Sequence, residues 1–173
     1  CGSGAGGIYA ASLMKFGVEL LLSDINPQAL RYARINAVLN GFERARMIQS
    51  DLFEELRGPF DYIIANPPYL VDDLHRVYRH GGGELGISLS LDILREGIAQ
   101  LGRNGRLLLY TGSPIIGGVD QFLAAATPIL DASPVSFEYQ EVDPDVFGEE
   151  LERAAYRNVD RIAAVFLNVK REG

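Results

Sequence analysis

Cysteine occurs once in this sequence, at Cys1, which excludes an internal disulfide and any cysteine-based metal cluster. So little cysteine suits a reducing, cytoplasmic compartment. Histidine is nearly as scarce: His75 and His80 are the only two, set in a polar loop, and their expected place is exposed loop surface rather than a metal site. Positive charge is in the minority, 16 Lys and Arg against 23 Asp and Glu, for a formal net charge of -7. The overall balance therefore does not attract a polyanion such as DNA or a phospholipid surface, although a local basic patch stays open. No apolar run is long enough for a membrane span, and neither an internal repeat nor a low-complexity tract is present.

What the chain does have is apolar substance, with 47% hydrophobic content over 173 residues, enough for one compact domain with a substantial core. Short apolar runs alternate with longer stretches of helical period, the pattern of an α/β domain with a largely parallel sheet. Strands are expected at 18–25, 45–51, 60–66, 105–112, 135–142 and 161–170, and helices at 7–16, 27–40, 87–101 and 120–130. Pro27 opens the second of those helices and Gly41 stands just past its end, as helix boundaries prefer. Between the last two strands lies "GEELERAAYRN", too polar for a helix packed on a sheet. Those strands are therefore expected to pair antiparallel at one edge. The glycine run "RHGGGELG", 79–86, reads either as a solvated loop or as a lid over a ligand.

The first residues, "CGSGAGG", form a glycine-rich turn of the kind that follows a central strand and leads into a helix. No strand precedes Cys1. The expectation is that the sequence starts inside a longer protein whose upstream part supplies that first strand. Gly2, Gly4, Gly6 and Gly7 let the backbone approach a ligand, with the following helix aiming its N-terminus there. Gly2, Gly4 and Gly7 also spell the G-x-G-x-x-G of dinucleotide binding, and Asp24 lies where that pattern wants an acid for a ribose. An NAD-dependent oxidoreductase has therefore to be weighed. Asp24 also precedes "INPQAL", so a helix cap is its other reading.

Two further features separate these possibilities. Asp51, in "QSDLF", ends the next strand, and two acids ending successive strands would surround one nucleoside at its sugar and its amino group. A hydride-transfer cofactor does not require the second acid. The following strand runs "IIANPPYL" into Asn66, Pro67, Pro68 and Tyr69. The prolines fix the backbone and take its carbonyls out of any ladder, while Asn66 adds a side-chain carbonyl. Such oxygens can accept both hydrogens of a substrate NH2 group, and Tyr69 can stack on a planar group beside them. A plain Asn-Pro turn is the alternative for an isolated match.

With these elements in order, the chain resembles the class I S-adenosylmethionine-dependent methyltransferases that carry an Asn-Pro-Pro-Tyr motif. The resemblance runs from "CGSGAGG" through "SDINPQAL", "SDLF" and "IIANPPY" to "GRLLLYTG". It implies a Rossmann-like three-layer sandwich over 1–173, mostly parallel with an antiparallel edge strand. It also implies S-adenosylmethionine as cofactor, held by Gly2, Ser3, Gly4, Asp24, Ile25, Asp51, Leu52 and Asn66, with no metal. Asn66, Pro67, Pro68 and Tyr69 would present the target nitrogen for direct displacement, which requires no dedicated base. The stretch "GGGELGISLSLDILREGIAQLGRNGRLLLYTG" is similar to that of the HemK-like protein-glutamine methyltransferases. That favours a protein acceptor such as a translation factor. The tail "DPDVFGEELERAAYRNVDRIAAVF" departs from that family, so another protein, an RNA or DNA exocyclic amine, or a small metabolite stays open as acceptor.

Overall fold

The computed structural model describes residues 1–14, 17–72 and 80–173. Residue 16, the expected end of the first helix, His75, and residue 79 of the glycine loop lie outside the described residues. The chain forms two compact units, Cys1–Arg57 and Gly58–Gly173.

In the first unit α1 (Ala5–Leu13), β1 (Leu21–Asp24), α2 (Pro27–Leu39) and β2 (Arg46–Gln49) follow one another. The strands pair in parallel from Leu21 against Arg46 to Asp24 against Gln49. α2 has the boundaries its sequence prescribes: Pro27 in the first turn, the Asn26 side chain accepting the Gln28 N–H at 2.9 Å, and Gly41 at φ 82° beyond the end. Leu30, Ala33 and Ala37 are its buried residues. Ala33 and Ala37 share a core with Ile8, Leu22 and Ala45, and small side chains there let the helix lie close to the strand. α1 begins two residues earlier than its period suggests, because Gly4 in the left-handed region makes the turn from which the helix grows.

The second unit is a mixed sheet in the order β3-β4-β7-β6. β3 (Phe60–Ala65) runs parallel to β4 (Leu101–Ile116), while β7 (Arg161–Arg171) is antiparallel to both β4 and β6 (Val135–Asp143). A two-residue strand, β5 (Val119–Asp120), turns back on the end of β4. α3 (Ser88–Gln100) precedes β4, and α4 (Gln121–Asp131) starts on Asp120, whose carboxylate accepts the Leu123 N–H at 2.7 Å. The last two strands do pair antiparallel, but β7 lies one position inside the sheet and β6 takes the edge. This explains the near-continuous burial of β7, from Ile162 through Val165 and at Leu167 and Val169, against the exposure of most of β6. β4 exceeds its expected span at both ends. Leu101 already pairs with Phe60 ahead of a bulge, and Gly112, Ser113 and Pro114 stay in register with Ala164, Ala163 and Ile162.

The polar stretch between β6 and β7 forms two short 3-10 turns, Gly148–Glu152 and Ala154–Tyr156. Among the described residues no helix is long and apolar enough to cross a membrane.

Candidate functional site

In the first unit the glycine turn closes through the Gly4 N–H on the Cys1 carbonyl at 2.9 Å. Gly2 and Gly4 have φ of 55° and 80°, where an L side chain is strained. Gly4 has no room either: a Cβ would come within 2.9 Å of Leu22 Cδ1 and 3.2 Å of Ala33 Cβ. Gly2 faces open space, so a ligand can approach its backbone. Ser3 is exposed and its carbonyl accepts from Asn36 Nδ2 at 2.9 Å, which ties the turn to α2.

Asp24, the last residue of β1, meets this turn. Its Oδ2 accepts from the Gly2 and Cys1 backbone nitrogens, each at 2.7 Å, and its Oδ1 accepts the Asn26 N–H at 2.9 Å. The capping role belongs to Asn26, so Asp24 is not the helix cap. Burial works against its charge, but the hydrogen bonds it accepts from the Cys1 nitrogen and the Asn26 and Gly2 amides outweigh it and hold the carboxyl below its usual 3.8. A ribose diol would use the remaining position on Oδ1 and take the place of the Cys1 nitrogen on Oδ2.

Asp51 follows β2 by two residues, and Ser50 joins the strand ends by donating its N–H to the Asp24 carbonyl at 3.2 Å. Leu52 sits at φ 42°, a left-handed turn that a leucine adopts only under constraint from its surroundings. The Ser50 hydroxyl supplies part of that constraint, 3.1 Å from the Leu52 carbonyl and 3.0 Å from the Glu55 N–H it accepts. Beside the turn lies an open cleft of about 510 Å³ whose walls include Ile25, Ile48 and Asp51. The first unit thus brings Gly2 to Asp24, and Ile25 to Asp51.

In the second unit Asn66 follows β3 directly and is exposed, Pro67 and Leu70 are buried, and Pro68 and Tyr69 are half-buried. Among the described residues no donor reaches the carbonyls of Asn66, Pro67 or Pro68, and the Asn66 side chain makes no hydrogen bond. The back of this corner is densely packed. The glycine loop lies against it: the Gly81 N–H donates to the Leu70 carbonyl at 2.8 Å, and a Cβ on Gly81 would come within 2.7 Å of Tyr69 Cα. Gly86 is as tight, 2.6 Å from the Tyr69 carbonyl by the same construction. Gly81 and Gly86 are therefore packed against the corner, while Gly83 and Glu84 between them are exposed. His80 is half-buried, its Nδ1 accepting the Asp72 N–H at 3.2 Å, which corrects its expected exposure; a strand-like bridge to Leu70 draws it in.

Tyr69 is held on three sides. Its ring lies against Gly112 of β4, meets Tyr110 edge-on at 6.4 Å and contacts Phe147 at 5.9 Å. Burial, then the neighbouring Tyr110, pushes its phenol above 10.0. A methyl on Gly112 would run into Tyr69, with Cε2 at 3.0 Å and Cγ at 3.1 Å as well as the nearer Cδ2. Gly112→Ala is therefore expected to cost about 1–3 kcal/mol of stability and to turn the Tyr69 ring. Thermal unfolding checks this; an unchanged midpoint contradicts it. Tyr110, Gly112, Phe147 and, through a contact described below, Tyr156 escape sequence reasoning. Only "GRLLLYTG" marked Tyr110 and Gly112 as strand residues at all.

The family model described as Methyltransferase small domain matches residues 1–113. The chain belongs to that family. Its match favours methyl transfer over hydride transfer. A release factor glutamine methyltransferase of Bradyrhizobium diazoefficiens is 30% identical, over 77% of this chain and 49% of its own length. A ribosomal protein uL3 glutamine methyltransferase of Neisseria meningitidis is 37% identical over 51% of this chain and 33% of its own length. A ribosomal RNA small subunit methyltransferase C of Cronobacter sakazakii is 32% identical over 65% of this chain and 30% of its own length. The chain thus spans at most about half the length of these relatives. The solved structure of a ribosomal protein L11 methylase from Lactobacillus delbrueckii subsp. bulgaricus covers 99% of this chain and 67% of its own, at a TM-score of 0.64 and 19% identity. It shows the methyltransferase fold.

S-adenosylmethionine is the cofactor this small-domain family implies, and the residues present fit it. A nucleoside needs an acceptor for its diol, an apolar wall for its base and an acceptor near its amino group. Asp24, Ile25 and Asp51 are of those kinds, and Gly2 offers bare backbone beside Asp24.

Proposed function

We propose that this chain transfers a methyl group to a planar NH2 nitrogen, and that the acceptor is the side-chain amide of a protein glutamine, in a cytoplasmic setting. The observation that carries this reading is the corner Asn66–Tyr69: an exposed asparagine beside the Pro67 carbonyl, to which no donor among the described residues bonds, while the Pro68 carbonyl faces the glycine loop at Gly81. Gly2, Ser3, Gly4, Asp24, Ile25, Asp51 and Leu52 would hold S-adenosylmethionine, with Asn66 near the point of transfer. When bound, that cofactor supplies an electrophilic methyl on a sulfonium centre.

The residues of the corner then do the rest by alignment. The Asn66 side-chain carbonyl and the Pro67 carbonyl accept one hydrogen each from the NH2 group. Both hydrogens are thus fixed in the plane of the carbonyls, and the nitrogen lone pair is aimed out of it. Because prolines fix φ, the acceptor meets oxygens already in place and little order is lost on binding. Tyr69, its ring fixed by Gly112 and Phe147, supports the flat acceptor from one side. The methylated nitrogen sheds its proton to water or to a neighbouring oxygen.

A protein acceptor is favoured by charge. The chain carries a net -7, and Asp145, Glu149 and Glu152, all exposed, lie in the segment that reaches Tyr69 through Phe147. A phosphate backbone would be repelled there. An RNA exocyclic amine is the second reading, supported by the likeness to the ribosomal RNA enzyme. The test is transfer of labelled methyl from S-adenosylmethionine to a glutamine-containing peptide and to an adenine-containing oligoribonucleotide. Label on the peptide is expected. Label on the RNA alone would overturn the acceptor, and label on neither would remove the support for NH2 transfer.

A further inference from the structure

The segment joining β6 to β7 lies outside the residues matched by the family model, which end at 113. Yet this segment backs the one corner that the motif defines. Tyr156, 1% exposed in the second 3-10 turn, accepts the Val71 N–H on its phenol oxygen at 2.8 Å. Val71 is two residues past Tyr69, so the bond fixes the exit of the corner. Leu70, Tyr156 and Ile162 are the buried members of one apolar cluster, with Tyr69, Phe147 and Leu151 packed against it. Phe147, at the start of the first 3-10 turn, meets the Tyr69 ring with centroids 5.9 Å apart and planes at 53°.

The segment is itself fixed. Arg161 of β7 holds its start by donating to the Pro144 carbonyl at 2.7 Å and to Glu141 at 2.9 Å. The Val146 N–H donates to the Ile162 carbonyl at 2.9 Å, and past the turns the Asp160 N–H donates to the Ile115 carbonyl of β4 at 2.8 Å. Within it, Glu150 is 4% exposed and ion-paired to Arg153 at 2.7 Å. A support pinned to the sheet on either side of the turns transmits its position to what rests on it. A flexible tail would not.

We infer that residues 147–156 are the positioning element for the acceptor corner: Tyr156 sets the course of residues 69–71 through its oxygen, and Phe147 sets the plane of the Tyr69 ring. Neither residue touches the acceptor, so both act through Tyr69 and the prolines. The inference rests on the reading of Asn66–Tyr69 as the place where the NH2 group is held. Its consequence is a division of labour. The motif supplies the oxygens, and a segment beyond the residues matched by the family model sets their angle and therefore which acceptor fits.

The test uses Tyr156→Phe, which keeps the ring and removes only the oxygen, and Phe147→Leu, which keeps apolar bulk and removes the flat face. Three quantities are read in each: hydrogen exchange of the Val71 amide, affinity for S-adenosylhomocysteine, and kcat and KM with the glutamine peptide. In Tyr156→Phe the Val71 amide should exchange at least roughly tenfold faster, and kcat should fall roughly tenfold or more with cofactor affinity unchanged. Phe147→Leu should raise KM for the peptide more than it lowers kcat. A purely structural role would instead lower the unfolding temperature and cofactor affinity without separating kcat from KM. Val71 exchange at the wild-type rate in Tyr156→Phe overturns the inference, as does faster exchange with unaltered transfer. If the wild-type protein methylates neither peptide nor oligoribonucleotide, the acceptor reading falls, while the exchange rates still decide whether residues 147–156 hold the corner.

Discussion

Asn66→Ala is expected to lower kcat for methyl transfer by about 100- to 1,000-fold while leaving affinity for S-adenosylhomocysteine within about twofold. The direction follows from where Asn66 stands. It is exposed, its side chain bonds to no described residue, and it follows β3 outside the ladder, so truncation removes no packing and frees no buried partner. What it removes is one of the two oxygens assigned to the NH2 hydrogens. An amide nitrogen is a poor nucleophile while its lone pair is delocalised. Losing the oxygen that fixes its plane therefore costs rate rather than fold. Steady-state transfer to the peptide, beside calorimetric titration of S-adenosylhomocysteine, separates the two effects; unchanged turnover would refute the assigned role.

Asp24→Ala should show the opposite pattern. Affinity for S-adenosylhomocysteine should fall by about 10- to 100-fold, the range expected when a charged hydrogen-bond acceptor is lost, with a smaller effect on kcat at saturating cofactor. In the proposed role the carboxylate would offer acceptor positions to a ribose, and it also holds the Gly2 N–H at 2.7 Å, so the glycine turn should loosen with its loss. The pH dependence has a definite sign. The folded-state pKa lies below 3.8, so the charged form and its contribution are complete above that value and are lost only as pH falls through the lower, folded one. Cofactor affinity should accordingly show no titration attributable to Asp24 from neutrality down to about pH 5. A midpoint between pH 5 and 7 that disappears in Asp24→Ala would contradict this.

Local signals carried most of the first unit. Pro27 and Gly41 bound α2 through backbone chemistry that acts within a few residues, although its cap proved to be Asn26 and not Asp24, and "VELLLSDI" contains β1 because an apolar run needs no distant partner to be recognised. The motif positions were legible for the same reason: two prolines after an apolar strand end it wherever it is placed. Contacts distant in sequence were not legible. The bond from Val71 to Tyr156 joins residues 85 apart, and nothing in "GEELERAAYRN" marks its one tyrosine as buried at 1%. The run from Gly112 to Pro114 reads as a strand breaker. It stays in β4 because β7 lies alongside with Ala163 and Ala164, small side chains that only the sheet order reveals. The glycine loop resisted a single reading because Gly81 and Gly86 are needed for close approach to residues 68–70, and the same composition serves a mobile lid.

The central claim is that nitrogen held at Asn66–Tyr69 receives the methyl group. A methyl donor labelled at the transferred carbon, incubated with a peptide labelled at the glutamine side-chain nitrogen, tests it most directly by magnetic resonance of the product. A direct one-bond coupling between the labelled carbon and the labelled nitrogen is predicted. Labelled methyl found on the peptide without that coupling, on oxygen or on another atom, would contradict it.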